Sequence, residues 1–104
     1  MDQSKQQRLE SQGWKVGTVE EFLDLTPEEA ILIEMRLALS RRLKLRRSNL
    51  MTQVELAEKL QSSQPRIAKA ENGDTSVSIE LLIRAMLATG ASPQEIGQVI
   101  SSIG

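Results

Sequence analysis

Four times along the chain a Ser or Thr is followed three residues later by Glu: at Thr18 and Glu21, Thr26 and Glu29, Thr52 and Glu55, and Ser92 and Glu95. In this capping box the hydroxyl accepts from an amide of the first helical turn and the carboxylate reaches back to the amide of the hydroxyl residue. Two of the donors that every helix start leaves orphaned are satisfied together. Pro27 and Pro93 occupy the first helical position, where a missing N–H costs nothing, and Asn72-Gly73 and Thr89-Gly90 read as helix stops. Ser78 caps one more helix, in which Ile79, Leu82, Ile83, Met86 and Leu87 recur at helical spacing. Almost no stretch alternates strictly enough to be a strand, and the only aromatic residues are Trp14 and Phe22. The chain is therefore read as all-α, with helices predicted near 19–24, 27–47, 53–60, 64–71, 79–88 and 93–102. Residues 1–26 form an N-terminal extension with a polar tail and a short helix, and residues 27–104 form one domain of about five helices.

The residue inventory removes most chemistry. There is no cysteine and no histidine, hence no disulfide, no thiol nucleophile and no imidazole base or metal ligand. The adjacent pairs Glu20-Glu21 and Glu28-Glu29 suit the positive end of a helix dipole, and neighbours on a helix do not face one another as an acid and base must. The reading is of a protein that is not an enzyme, with no metal and no cofactor. The segment MDQSKQQRLESQ lacks an apolar core and no apolar run is long enough to span a bilayer, so a cytoplasmic protein without a membrane partner is expected.

The net charge of -1 conceals a separation of charge. Residues 1–35 hold three basic and eight acidic side chains, residues 36–69 nine basic and two acidic, and residues 70–104 one basic and four acidic, giving -5, +7 and -3. A basic middle third between acidic ends can present a positive face to phosphates despite a neutral total.

Within that basic third, TQVELAEKL and QPRIAKAE are two short helical segments separated by Gln61, Ser62 and Ser63. This is a helix-turn-helix length. Val54, Leu56, Ala57 and Leu60 supply an inward face, answered by Ile67 and Ala70. Ser63 caps the second segment, whose Gln64, Pro65, Arg66 and Lys69 make a polar, cationic outer face with no carboxylate before Glu71. Gln pairs with adenine N6 and N7, Arg or Lys with guanine O6 and N7, and proline can touch a thymine methyl. The helix starts at Gln53 and Gln64 are suited to phosphates.

The stretch LRRSNLMTQVELAEKLQSSQPRIAKAENGDTSVSIELLIRAMLATG resembles the lambda-repressor-like, Xre-type helix-turn-helix proteins over residues 38–90 or so. The resemblance implies a sequence-specific DNA-binding regulator, a repressor and autoregulator that binds a palindromic double-stranded operator as a homodimer. It assigns base contacts to Gln64, Pro65, Arg66 and Lys69. Phosphate contacts fall to Gln53, Ser63 and Asn72, and the basic end of the long helix, including Arg47, is placed beside the DNA backbone. It also implies a structural ion pair, Arg46 with Glu71. Two positions depart from the pattern, Leu50 and Gln61, where glycine is usual. Either the turns are built differently or a left-handed non-glycine residue is tolerated at a cost of about 1 kcal/mol.

The extension QGWKVGTVEEFLDLTPEEA resembles that of HigA-type antitoxins, which implies a toxin partner of the HigB or RelE kind. Trp14 and Phe22 are then anchors for that partner, or staples onto the domain's own core, and the second is preferred. The alternative to a DNA reader is an interaction module that binds such a partner and touches DNA only nonspecifically. Ile96, Val99, Ile100 and Ile103 at helical spacing serve the core, a self-interface, or both.

Overall fold

The computed structural model describes residues 25–103, and its elements are α1 (Pro27–Ser48), α2 (Gln53–Leu60), α3 (Gln64–Glu71), α4 (Ile79–Ala88) and α5 (Pro93–Ser101). Every regular element among the described residues is helical, and none is long and apolar enough to cross a membrane. Each observed bound lies within one residue of its sequence prediction. The predicted helix near 19–24, with Thr18, Trp14 and Phe22, lies outside the described residues.

The caps explain that agreement. Thr26 and Glu29 form a complete box, with N–H to hydroxyl and N–H to carboxylate distances of 3.1 and 2.8 Å. Thr52 and Glu55 do the same at 3.1 and 2.7 Å. The Ser92 box is only half made. Its hydroxyl accepts from the Glu95 amide at 3.0 Å, but the Glu95 carboxylate turns instead to Arg42 and Arg46 on α1. Two guanidinium groups outbid one backbone amide for a carboxylate, as charge-assisted hydrogen bonds do.

Contacts divide the chain at Ile33 and Glu34. Among the described residues, the part before that boundary holds the capped start of α1. In the remainder, α2 packs on α3 and α4, and α5 packs on α4. Leu39 and Leu43 from α1, Leu56 from α2, Ile67 from α3, and Leu82, Ala85 and Met86 from α4 are fully buried at the centre. Ile96 and Val99 close the core from α5. The inward face of α2 is Leu56 and Ala57, with Leu60 partly buried against the core, and the expected Val54 is 53% exposed. Gln53, one residue earlier, continues the Leu56, Ala57 and Leu60 stripe at helical spacing, and Val54 lies 100° off it.

Gln61 resolves one of the two glycine substitutions. It takes φ 55 and ψ 45 and closes α2, with its N–H and that of Ser62 bonded back to Glu58 and Ala57 carbonyls at 3.2 and 2.8 Å. The turn is thus built as glycine would build it, with a side chain in the left-handed region. Leu50 is not so placed, since Gln61 is the one non-glycine with positive φ among the described residues. The preceding loop instead closes through Leu50 and Met51 amides onto the Arg47 carbonyl at 2.9 and 2.8 Å. Gly73, at φ 74, ends α3 where a Cβ would fall 2.7 Å from Leu37 Cδ2.

These two positions should respond in opposite directions. Gln61→Gly is expected to raise stability by several tenths to about 1 kcal/mol in urea denaturation, through relief of the left-handed strain. Gly73→Ala is expected to lower it by about 1 kcal/mol, because the left-handed backbone penalises a Cβ while the partly exposed tip of Leu37 can give way.

Candidate nucleic-acid interface

The outer face of α3 follows from which of its residues the core takes. Ile67, Ala70 and Glu71 are buried, and Gln64, Pro65, Arg66 and Lys69 are all exposed on the other side. Ser63 caps the helix, its hydroxyl accepting from the Arg66 amide at 3.3 Å. Asn72 is exposed at the far end, its N–H bonded to the Ala68 and Lys69 carbonyls. The single carboxylate of α3, Glu71, points into the protein, which leaves the outward face free of negative charge.

Glu71 is held by Arg47, not by Arg46 as the sequence implied. Arg47 Nε and Nη2 donate to the two Glu71 oxygens at 2.7 and 2.8 Å, and Nη1 reaches the Met51 carbonyl at 3.3 Å. The physical reason is helical phase. Leu39, Leu43 and Arg47 recur every four residues on the ridge of α1 that faces the core. Arg42 and Arg46 lie on the neighbouring ridge, toward α5. There Arg46 bonds both Glu95 oxygens at 2.8 and 3.0 Å and also the hydroxyl and carbonyl of Thr89. Arg47 is thereby occupied inside the protein, with its side chain 14% exposed, and the phosphate role expected of it is not what this geometry provides. Arg41 and Lys44 are exposed and make no ion pair among the described residues.

The pair extends to the outer face of α3. Gln53 Nε2 donates to Glu71 Oε1 at 3.0 Å, and its own Oε1 accepts from Gln64 Nε2 at 2.6 Å. A continuous path thus runs from α1 through the start of α2 to the first residue of α3. The open groove beside it is lined by Ser48, Asn49, Thr52, Gln53, Glu55 and Gln64. On the other side of α3, Arg66 shares a groove with Arg84 of α4 and with the turn residues Gln61, Ser62 and Ser63. Arg84 was not distinguishable in the sequence, because only the packing of α4 brings it beside α3.

Burial by itself would raise the Glu71 carboxyl. Hydrogen bonds from Arg47 and Gln53, with the charges of Arg47 and Lys44, outweigh it and hold the group below the usual carboxylate range. The bond to Glu71 likewise raises Arg47, against the effect of burial.

Two short helices joined by a tight turn, the second presenting an outward face of amide and cationic side chains, define a helix-turn-helix DNA-binding fold. Residues 43–96 match the helix-turn-helix family model, and the chain belongs to this lambda-repressor-like, Xre-type family of DNA-binding regulators. Comparison with curated proteins and with solved structures gives no match.

Removing Arg47 would leave the Glu71 carboxylate buried without its partner, so Arg47→Ala should cost about 3–5 kcal/mol in chemical denaturation. The pH dependence has a definite sign. Because the folded Glu71 value is depressed, its contribution is present above the ordinary glutamate range, about 4.3, and is lost as pH falls through the lower folded value. Glu71→Gln should therefore flatten the acid limb of stability against pH and be least destabilising at the lowest pH.

Proposed function

We propose that the chain is a sequence-specific DNA-binding repressor that acts as a homodimer on a two-fold operator, including that of its own promoter. The observation that carries this reading is the carboxylate-free outer face of α3, with Gln64 fixed by Gln53 and with Arg66 and Lys69 exposed beside it. A side chain held in place before binding loses less freedom on meeting a base edge. In this reading Gln64, Pro65, Arg66 and Lys69 address bases, and Gln53, Ser63 and Asn72 address phosphates, with the exposed Lys44, whose charge acts on Glu71, close by. One short helix reads only a few base pairs, and two copies spaced about 34–36 Å apart would read both half-sites.

The domain assignment of residues 1–26 and 27–104 belongs to the same proposal. An antitoxin role, with a HigB-like or RelE-like toxin held by the extension, depends on Trp14 and Phe22, outside the described residues. It is the lesser part of the proposal.

The test is fluorescence anisotropy with a duplex enriched from a random-sequence pool and a scrambled duplex, each at two salt concentrations. The wild-type chain should prefer the enriched duplex at both, with a salt slope that reports phosphates neutralised. Arg66→Ala should cost about 1–3 kcal/mol on that duplex and relax base preference. Equal, salt-erased binding to both duplexes would contradict the repressor and favour the interaction module.

A further inference from the structure

The end of α3 is tied down from a part of α1 that lies before the family match, which begins at residue 43. The Gly73 and Asp74 amides bond back to the Ala70 and Lys69 carbonyls at 3.3 and 3.1 Å, so the turn after α3 is continuous with its last helical turn. That turn then closes on itself. The Val77 amide donates to the Asp74 carbonyl at 3.1 Å, and the Ser76 amide to the Asp74 carboxylate at 2.8 Å. One nitrogen of Arg36, Nη1, donates to the carbonyls of both Asp74 and Val77. Beside it Leu37 lies against Gly73, so close that a Cβ there would be 2.7 Å away, and the buried Ser40 hydroxyl lies 3.9 Å from the same point.

We infer that Arg36 is a positioning residue for DNA recognition, a staple that fixes the turn at residues 73–77 and through it the set of the last helical turn of α3. This inference rests on the repressor reading. An eight-residue helix has little capacity to hold its own direction. The path from Arg47 through Gln53 fixes its first residue, Gln64, whereas Lys69 and Asn72 lie at the other end, next to the stapled turn. Release of that turn would move Lys69 and Asn72 relative to Gln64 and Arg66 while leaving the apolar core in place. Neither Arg36 nor the carbonyls it holds needs to touch DNA for this effect. Both bonds come from one nitrogen, so a lysine ammonium with three donors has the means to replace them.

The experiment compares the full-length chain with Arg36→Ala and Arg36→Lys in two measurements. In amide hydrogen exchange, Arg36→Ala should speed exchange at Gly73, Asp74 and Val77 by about tenfold or more, with amides of Leu82 and Met86 in α4 little changed. In anisotropy, Arg36→Ala should lower the ratio of affinities for enriched over scrambled duplex by about fivefold or more, and Arg36→Lys should restore most of it. Unchanged exchange in the turn, uniform acceleration through all helices, or an unchanged affinity ratio would each overturn the inference. If the wild-type chain shows no preference between duplexes, the repressor reading fails, and the positioning role falls with it even where the exchange data show the staple to be real.

Discussion

The outer face of α3 depends on one buried ion pair. Glu71 has a side chain only 1% exposed, and without Arg47 at 2.7 Å its charge would have no counterpart in the interior. Such a pair gains little net stability over an apolar packing of the same volume, but it tolerates few arrangements. Here the arrangement fixes α1, α2 and α3 relative to one another, because Arg47 comes from the first, Gln53 joins from the second and Glu71 belongs to the third. Gln64 is the last member of the path and the first residue of the outward face. The orientation of the Gln64 side chain is in this way linked to the interior of the domain.

The same logic bears on which cations are free on a chain whose net charge is -1. Three acidic residues in or after the basic third are committed to structure, while Glu58 stays exposed. Glu55 completes the α2 cap, Glu71 pairs with Arg47, and Glu95 pairs with Arg42 and Arg46. That commitment engages three arginines as well, although the Arg42 side chain stays 42% exposed. Outward and outside those ion pairs are Arg41, Lys44, Lys59, Arg66, Lys69 and Arg84. A charge count along the sequence overstates how many cations are available to phosphates, and the ion pairs say which ones remain.

Helix starts and stops were legible because they depend on residues three apart. Thr26, Thr52, Ser63, Ser78 and Ser92 each cap as expected, and Gly73 and Gly90 take the positive φ that their places after α3 and α4 require. Legibility failed wherever two neighbouring residues competed for one role. Arg46 and Arg47 differ by 100° around α1, and their charge does not say which of them faces Glu71. Val54 and Gln53 pose the same problem on α2, where apolar character pointed to the wrong neighbour. Long-range partners were hidden as well. Glu95 reads as a capping residue until α1 is packed beside α5, and Arg36 reads as an ordinary surface cation until the turn at residues 73–77 closes against it. The exposed residues of α3 were legible as a set, because the core takes Ile67, Ala70 and Glu71 at helical spacing and leaves the others outside.

Under the proposed function the start of α3, with the Gln53 and Gln64 side chains joined behind it, is the surface that meets DNA. Nuclear magnetic resonance mapping of the free chain against its complex with an enriched duplex tests this most directly. The largest shifts are expected at the backbone amides of residues 63, 64 and 66–69 and at the side-chain amides of Gln53 and Gln64. Shifts centred on α5, with residues 63–69 unmoved, would contradict it.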